Sequence, residues 1–275
     1  MLSRIGSERA GSDSNGNVER PLESPHGQPV TARLAAAASR RADLETLLAA
    51  AAPGASPADF RQLVVDQNIA GKGSAVSRQK LWNQLQQRYL LDRSVPEGAA
   101  FLAGMASTSS PSDRGLLCLL MMSRTDRLFR EVTLRAVSPY LARDGTVIPA
   151  EEVQQVLKDY LSENSVVWSP ETKLSVQQHL MAALKDCGVL RGSRPKRTAR
   201  PRPSSQVTLF AARLALSEGL TPRQVLVSQW FRMLGLDTDQ VVDLLYAAAR
   251  DGVLRFRTQA EVVDLQVPDV EVGGE

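Results

Sequence analysis

The sequence has few of the residues from which catalytic and metal sites are built. Its 275 residues include two cysteines and two histidines. Cys118 and Cys187 form no metal-ligand spacing, and their apolar helical surroundings predict two reduced, buried thiols in a cytoplasmic protein. His26 lies in a polar stretch and His179 inside a predicted helix, whereas a catalytic base needs a paired group. With no GxSxG, HExxH or paired-cysteine motif, the sequence favours a binding protein over an enzyme.

Long apolar runs are also missing. The longest uninterrupted run, residues 116–122, is far too short to cross a bilayer. The N-terminus has no apolar segment of the signal-peptide type. We therefore expect a soluble cytoplasmic protein that is neither secreted nor inserted in a membrane.

Aromatic residues are scarce as well, at 5% of the chain, while the hydrophobic fraction of 43% is ordinary. Leucine, alanine and valine supply most of the apolar side chains, which suits helical packing. The sequence predicts a mainly α protein in five segments. These are a disordered tail (1–30), a helical domain with a helix-turn-helix-like pair (31–192), a basic Pro-rich linker (193–205), a winged-helix-like domain with a short β-hairpin (206–267) and a second tail (268–275).

The helical domain begins with an Ala-rich helix that we expect to start at Thr31 and to stop at Pro53-Gly54. A pair of helices follows. Ser56 and Pro57 start the first, and Ser77 is the expected cap of the second, RQKLWNQLQQRYLL. Two helices joined by a short Gly-containing loop are what a helix-turn-helix requires. Further helices are predicted at 97–107, 112–124, 126–142, 149–163 and 170–187.

The distribution of charge is more informative than the net charge of +3. Residues 61–93 contain six basic and two acidic side chains, and residues 193–205 contain five basic side chains, three prolines and no acid. The second stretch cannot bury a core, so we expect a solvated, semi-extended linker. In residues 77–91, basic side chains accompany Asn83, Gln84, Gln86 and Gln87, which can bind phosphates or base edges. A solvated helix face is an equally good interpretation of this helix.

The last segment combines helices at 206–218, 222–234 and 238–250 with two short strands around a turn near Gln259-Ala260. Residues 206–275 hold six basic and ten acidic side chains. Asp239, Asp243 and Asp251 on the third helix would repel a phosphate backbone, so that only Arg255 and Arg257 in the hairpin could reach DNA. A protein–protein module is therefore the favoured interpretation of this segment.

Three stretches of the chain resemble one family. They are ADFRQLVVDQNIAGKGSAVSRQKLWNQLQQRYLL, LLCLLMMSRTDRLFREVTLRAVSPYL and VVWSPETKLSVQQHLMAALKDCGVLRG. They are similar to the BrxA family of BREX bacteriophage-exclusion systems, over roughly residues 31–267. The resemblance implies a small, non-catalytic helical protein that binds double-stranded DNA and acts beside a methyltransferase, an ATPase and other BREX proteins. It implies no catalytic residues.

Our leading hypothesis is sequence-tolerant binding to duplex DNA, without a cofactor, metal, membrane or small-molecule substrate. The predicted DNA-contacting residues are Lys72, Arg78, Lys80, Arg88, Arg124, Arg127, Arg194, Lys196, Arg197, Arg200, Arg202, Arg255 and Arg257. Two alternatives stay open. One is a scaffold that docks another defence protein through its acidic C-terminal segment, and the other is a ligand-responsive transcriptional repressor that binds a palindromic operator.

Overall fold

The computed structural model describes residue 34 and residues 37–259 and 262–270. The predicted tail 1–30 and the expected cap Thr31 lie outside the described residues. The described part is mainly α-helical, with two two-stranded antiparallel sheets, which confirms the predicted fold class. Among its helices, none is both long enough and apolar enough to span a membrane.

Eight α-helices form the first part of the described residues. They are α1 (Arg41–Ala50), α2 (Pro57–Arg61), α3 (Ala75–Tyr89), α4 (Pro96–Ser107), α5 (Pro111–Thr125), α6 (Arg127–Val132), α7 (Ala150–Glu163) and α8 (Pro170–Asp186). A π-helical turn (Gln62–Asp66) extends α2, and a π-helical and a 3-10 turn extend α6 as far as Tyr140. Helical periodicity and Ser-Pro starts therefore predicted most of these boundaries to within one or two residues.

The helix starts show which capping signals in the sequence predicted a boundary correctly. Ser56 forms the expected capping box, because its hydroxyl accepts the Asp59 N–H and the Asp59 carboxylate accepts the Ser56 N–H. The expected cap at Ser77 is wrong. Helix α3 starts three residues earlier in the chain, where the Ser74 hydroxyl accepts the Ser77 N–H at 3.1 Å. Both serines can cap a helix, but only Ser74 has the extended backbone that the position requires.

The Ala-rich helix is shorter than predicted, since residues 37–40 are not helical and α1 begins at Arg41. Long-range bonds use the carbonyls that a helix would need. Arg88 donates to the Ala37 carbonyl at 2.8 Å, and the Tyr89 hydroxyl donates to the Ser39 carbonyl at 2.6 Å. The helix propensity of alanine is therefore overridden by tertiary contacts.

The second part of the chain contains α9 (Ser205–Ser217), α10 (Pro222–Val225), α11 (Gln229–Arg232), α12 (Thr238–Arg250), β3 (Arg255–Gln259) and β4 (Val262–Gln266). The predicted helix 222–234 is two short helices, because Ser228 has an extended backbone and starts the second one. The order of helices followed by a hairpin is as expected. The winged-helix architecture stays a prediction.

Helix α9 joins the two parts through a shared core. It contacts α4 and α5 as well as α11 and α12. The Phe210 ring lies 6.1 Å from that of Phe101, which stacks on Tyr89 at 5.6 Å. Ser138 donates to the Met233 carbonyl at 3.2 Å. Residues on both sides of the predicted linker are therefore buried together.

The segment 193–205 differs from the solvated linker that its composition predicted. Arg197–Thr198 forms a strand, β2, paired with β1 (Leu190–Arg191). Thr198 is 0% exposed, and Pro201 and Pro203 are also buried. Four of its five basic side chains are exposed, but its backbone is hydrogen-bonded to the helical domain. Some of these bonds come from β1, a few residues earlier in the chain, and others from residues 145–148, about fifty residues earlier.

We expect Gly235→Ala to test the contact between the two parts. Gly235 has φ +70, and a Cβ there would lie 2.5 Å from Leu141 Cβ. Gly219 has φ +79 and open space around it, so Gly219→Ala is the matched control. The left-handed backbone should cost about 1–2 kcal/mol at either position, and overpacking should add about 1–3 kcal/mol at Gly235 alone. Equal unfolding free energies in denaturant titrations would contradict the packing described.

The two thiols provide a test of the core. Both are free and buried, and burial raises the pKa of Cys118 from 9.0 to about 12 and also raises that of Cys187. At pH 8, both should react slowly with a thiol reagent in the native protein and quickly in denaturant. Unfolded thiols ionise near pH 9 while native Cys118 stays protonated, so the free energy of unfolding should fall as the pH rises from 9 towards 12. Rapid native labelling would contradict this packing.

Candidate nucleic-acid interface

Strand β2 is hydrogen-bonded along both of its edges. On one edge, Leu190 pairs with Thr198 and Arg191 with Arg197. On the other edge, Val147 forms a bridge with Arg197, and the Ile148 N–H donates to the Lys196 carbonyl at 3.1 Å. Three short extended segments therefore lie side by side. We call residues 143–148 and 190–202 the basic platform.

The hydroxyl of the buried Thr198 holds the middle of the platform in place. Thr198 Oγ1 donates to the Arg143 carbonyl at 2.6 Å and accepts the Thr146 N–H at 2.9 Å. The Thr198 backbone also bonds to this segment, as its N–H donates to the Thr146 carbonyl at 2.8 Å and its carbonyl accepts the Gly145 N–H at 3.0 Å. Thr198 is buried and its side-chain bonds are part-buried, so leaving these groups unpaired would cost stability. The backbone of the platform is thus fixed in one arrangement.

The platform concentrates positive charge. It contains seven basic side chains and one acidic side chain, Asp144. Lys196 is half-buried, and the other six are exposed, namely Arg143, Arg191, Arg194, Arg197, Arg200 and Arg202. Local charge of this density favours a polyanionic partner.

The one carboxylate of the platform, that of Asp144, bonds to two of its arginines. Asp144 accepts the Arg200 backbone N–H at 3.2 Å and pairs with the Arg191 guanidinium at 2.7 Å. The Arg200 N–H, with the charges of Arg191 and Arg202, lowers the pKa of Asp144. Burial, aided by the charge of Lys185, lowers the pKa of Lys196. Asp144 therefore stays ionised, and it pairs with one of the seven platform cations, Arg191.

The predicted DNA-contacting residues of α3 and of the turn before it are only partly available. Arg88 is 7% exposed and donates to a backbone carbonyl. The prediction that it contacts DNA is therefore wrong, because its side chain is part of the core. Gln84 is buried as well and accepts a bond from Arg40. Lys72 pairs with Asp43 at 2.8 Å. Arg78 is half-buried, and Lys80 is exposed.

Acidic partners also engage the arginines near α5 and α6. Arg124 pairs with Glu97 at 2.8 Å. Arg135 forms two hydrogen bonds of 3.0 Å with Glu163. Arg127 is half-buried. These arginines offer less positive charge to DNA than the sequence predicted, because a paired guanidinium must separate from its carboxylate before it can bind a phosphate.

In the C-terminal hairpin, Arg255 and Arg257 are exposed and lie two residues apart on one face of β3. Across the strand pair, Arg257 faces Asp264 and Arg255 faces Gln266. Only one of the two arginines therefore has an acid directly opposite. The structure does not bring any other predicted basic residue into this sheet.

The sequence prediction missed Arg143 and Arg191 as members of the platform. Neither residue was among the predicted DNA-contacting residues. Strands of two residues give no periodic signal, and the bridge between Val147 and Arg197 spans fifty residues. The β-branched pair Val147-Ile148 after Gly145-Thr146 was the one local signal for an extended segment.

The fold and the platform define a mainly helical protein with one concentrated basic surface. A comparison with protein families matches residues 30–213 to the BrxA family, which is more than half of the chain. The chain belongs to the BrxA family and is therefore a component of a BREX bacteriophage-defence system. The matched region ends inside α9, so that α10–α12 and the hairpin lie beyond it.

Comparisons with other proteins add information on the fold. No curated protein matches the chain. Among solved structures, the crystal structure of an uncharacterized protein from Magnetospirillum magneticum is similar, with a TM-score of 0.55 and 13% sequence identity. The match covers 74% of this chain and 97% of that one. At this identity the likeness concerns the fold alone.

We expect Thr198→Val to loosen the platform. The change removes the hydroxyl but keeps the volume, which leaves the Thr146 N–H and the Arg143 carbonyl short of a partner at a cost of about 1–3 kcal/mol. Trypsin should then cut faster after Lys196 and Arg197. Thr208→Val is the matched control, because Thr208 is equally buried and its hydroxyl shares the Ser204 carbonyl with its own N–H. Equal cleavage of the two variants would contradict the role of Thr198.

Proposed function

We propose that this BrxA-family protein is a non-catalytic component of its BREX system that binds double-stranded DNA through the basic platform. The observation that carries the proposal is the exposure of six arginines on a backbone held along both edges of β2. Arginine is well suited to phosphate, because its planar guanidinium donates several hydrogen bonds and stays charged. A fixed backbone lowers the entropy lost when such side chains bind.

The partner we propose is a duplex bound mainly through its phosphates. A phosphate backbone repeats the same charge at short intervals, so that a cluster of arginines can engage several phosphates at once. Contacts of this kind fix the position of the protein without selecting a base sequence. The platform therefore accounts for sequence-tolerant affinity.

The proposal of a non-catalytic role rests on the state of the nucleophilic groups. Burial raises the pKa of both thiols, so neither cysteine is a thiolate at neutral pH. His179 is half-buried on α8, where Nδ1 lies 3.4 Å from the Ser175 hydroxyl of the same helix. These groups serve packing and local hydrogen bonding rather than nucleophilic or acid–base chemistry.

A second candidate function is docking of another BREX protein through α12. Asp239 and Asp243 are exposed one turn apart on this helix, and Tyr246, 38% exposed, follows them on the same side. Acidic side chains around an aromatic ring suit a basic protein surface and repel DNA. This function is compatible with DNA binding, because the platform and α12 carry opposite charge.

We expect binding to duplex DNA to weaken steeply with salt, and neutralisation of the platform to reduce this dependence. In Arg194→Gln/Arg200→Gln/Arg202→Gln, the loss of three phosphate contacts should lower the slope of log affinity against log salt by up to about 2.7. All three side chains are exposed. The measurement is fluorescence anisotropy with a labelled duplex at several salt concentrations.

The matched control removes three exposed charges elsewhere, in Lys158→Gln/Arg232→Gln/Arg250→Gln. It changes the net charge of the protein equally, so any effect of long-range attraction is the same in both variants. If the two variants lower the affinity and the slope equally, binding depends on net charge and the platform is not the interface. No binding to DNA at low salt would refute the proposed function itself.

A further inference from the structure

Helix α3 carries a straight stripe of exposed side chains that the platform does not use. Val76, Lys80, Asn83 and Gln87 are all exposed, and Val76 is 79% exposed. Their spacing of four, three and four residues places them on one face of the helix. This set is called the α3 stripe below.

The other side of α3 is firmly packed. Leu81, Leu85 and Tyr89 are fully or almost fully buried, and α3 contacts α5 and the turn Gln62–Asp66. The helix is therefore held as a rigid body with the stripe turned away from the core. A rigid helix with one free face is the element that enters a major groove, whose width of about 12 Å matches an α-helix.

The α3 stripe has the charge expected of a surface that approaches DNA. The helix contains three basic residues and no acidic residue. Lys80 supplies a positive charge within the stripe, while Asn83 and Gln87 supply amides. From Val76 to Gln87 the stripe extends about 16 Å, or about five base-pair steps.

A hydrogen-bonded chain orients one amide of the stripe. Gln79 Nε2 donates to Asn83 Oδ1 at 2.9 Å, and the Arg61 guanidinium donates to Gln79 Oε1 at 3.4 Å. The Asn83 oxygen retains a second lone pair, and its Nδ2 retains its hydrogens. Asn83 is thus held by its neighbours with a donor and an acceptor still available at one edge.

Donor and acceptor side by side on an amide match the major-groove edge of adenine. Asparagine and glutamine donate to adenine N7 and accept from its N6 amine, and an exposed apolar side chain contacts the thymine methyl group. Asn83 and Gln87 provide the amides, and Val76 provides the apolar contact. The stripe contains no arginine, and Lys80, which could also donate to guanine, is taken as a contact to phosphate.

We propose that the α3 stripe reads A·T base pairs in the major groove and gives the protein a sequence preference. This inference rests on the proposed binding to DNA and adds specificity to it. The platform provides affinity through phosphates, and Asn83 and Gln87 provide discrimination between bases. Duplexes with A·T pairs at the contacted positions are therefore the preferred substrate class.

The test compares three duplexes of equal length with the full-length protein. Their central ten base pairs are mixed A·T pairs, the same pairs with 7-deazaadenine in place of adenine, or G·C pairs only. The modified base lacks the N7 acceptor of the major groove and keeps the minor-groove edge. We expect the A·T duplex to bind at least about fivefold more tightly than either of the others, which is the lower end of what one bidentate contact contributes.

In Asn83→Ala/Gln87→Ala, this difference should disappear while binding to G·C duplex and its salt slope stay unchanged. Gln154→Ala/Gln178→Ala is the matched control, since both glutamines are exposed on other helices, and it should keep the wild-type preference. All changed side chains are exposed, and thermal melts followed by circular dichroism check that the variants fold equally.

The inference is overturned if the wild type binds the adenine and 7-deazaadenine duplexes equally, or if Asn83→Ala/Gln87→Ala keeps the preference. It is also overturned if that variant keeps its DNA binding unaltered and loses association with another BREX protein, because the stripe is then a protein surface. These results leave the proposed function intact, whereas failure of every duplex to bind removes both.

Discussion

The hydrogen bonds of Thr198 are the constraint on which the basic surface depends. This residue pairs with β1 and bonds through its backbone to the segment 143–148. Its hydroxyl bonds to two further backbone groups of that segment. A chain of arginines and prolines would otherwise be extended and mobile, because it repels itself and lacks apolar side chains. Anchored at its centre, the segment presents its arginines from a backbone that is fixed to the helical domain. In the function we propose, a phosphate partner can then bind without first ordering this backbone.

A second constraint is the double burial of α9. Eight of its thirteen residues are buried, and Val207, Leu209, Phe210 and Ala212 among them point in different directions around the helix. It must therefore be covered on more than one side, and it contacts α4 and α5 as well as α11 and α12. The acidic C-terminal elements are thereby joined to the same core as the platform. A basic surface and an acidic surface are thereby kept on one molecule.

Sequence patterns predicted the helices, because their positions depend on residues that are close together in the chain. Apolar periodicity located α4, α5, α7 and α8 closely, and α5 and α8 also have a Ser-Pro start with a serine cap. These patterns could not predict the burial of Arg88. In a polar helix it resembles any surface arginine, and only the fold brings its guanidinium to the Ala37 carbonyl.

The site itself was predictable in part. Five of the seven platform cations were visible as a basic, acid-free run in the sequence. Arg143 and Arg191 were not: Arg143 is brought in by pairing between segments about fifty residues apart, and Arg191 lies in a strand of two residues that has no periodic signal. The prediction of a solvated linker was wrong because the sequence around Thr198 does not distinguish it from a solvent-exposed threonine.

Hydrogen exchange measured by mass spectrometry, with and without a duplex of about twenty base pairs, tests most directly where DNA is bound. Amides that contact or are shielded by a partner exchange more slowly than in the free protein. The account predicts that DNA slows exchange most in peptides that cover residues 143–148 and 190–202, and leaves α12 unchanged. Protection concentrated in α12 and the hairpin, with none in the platform, would contradict it.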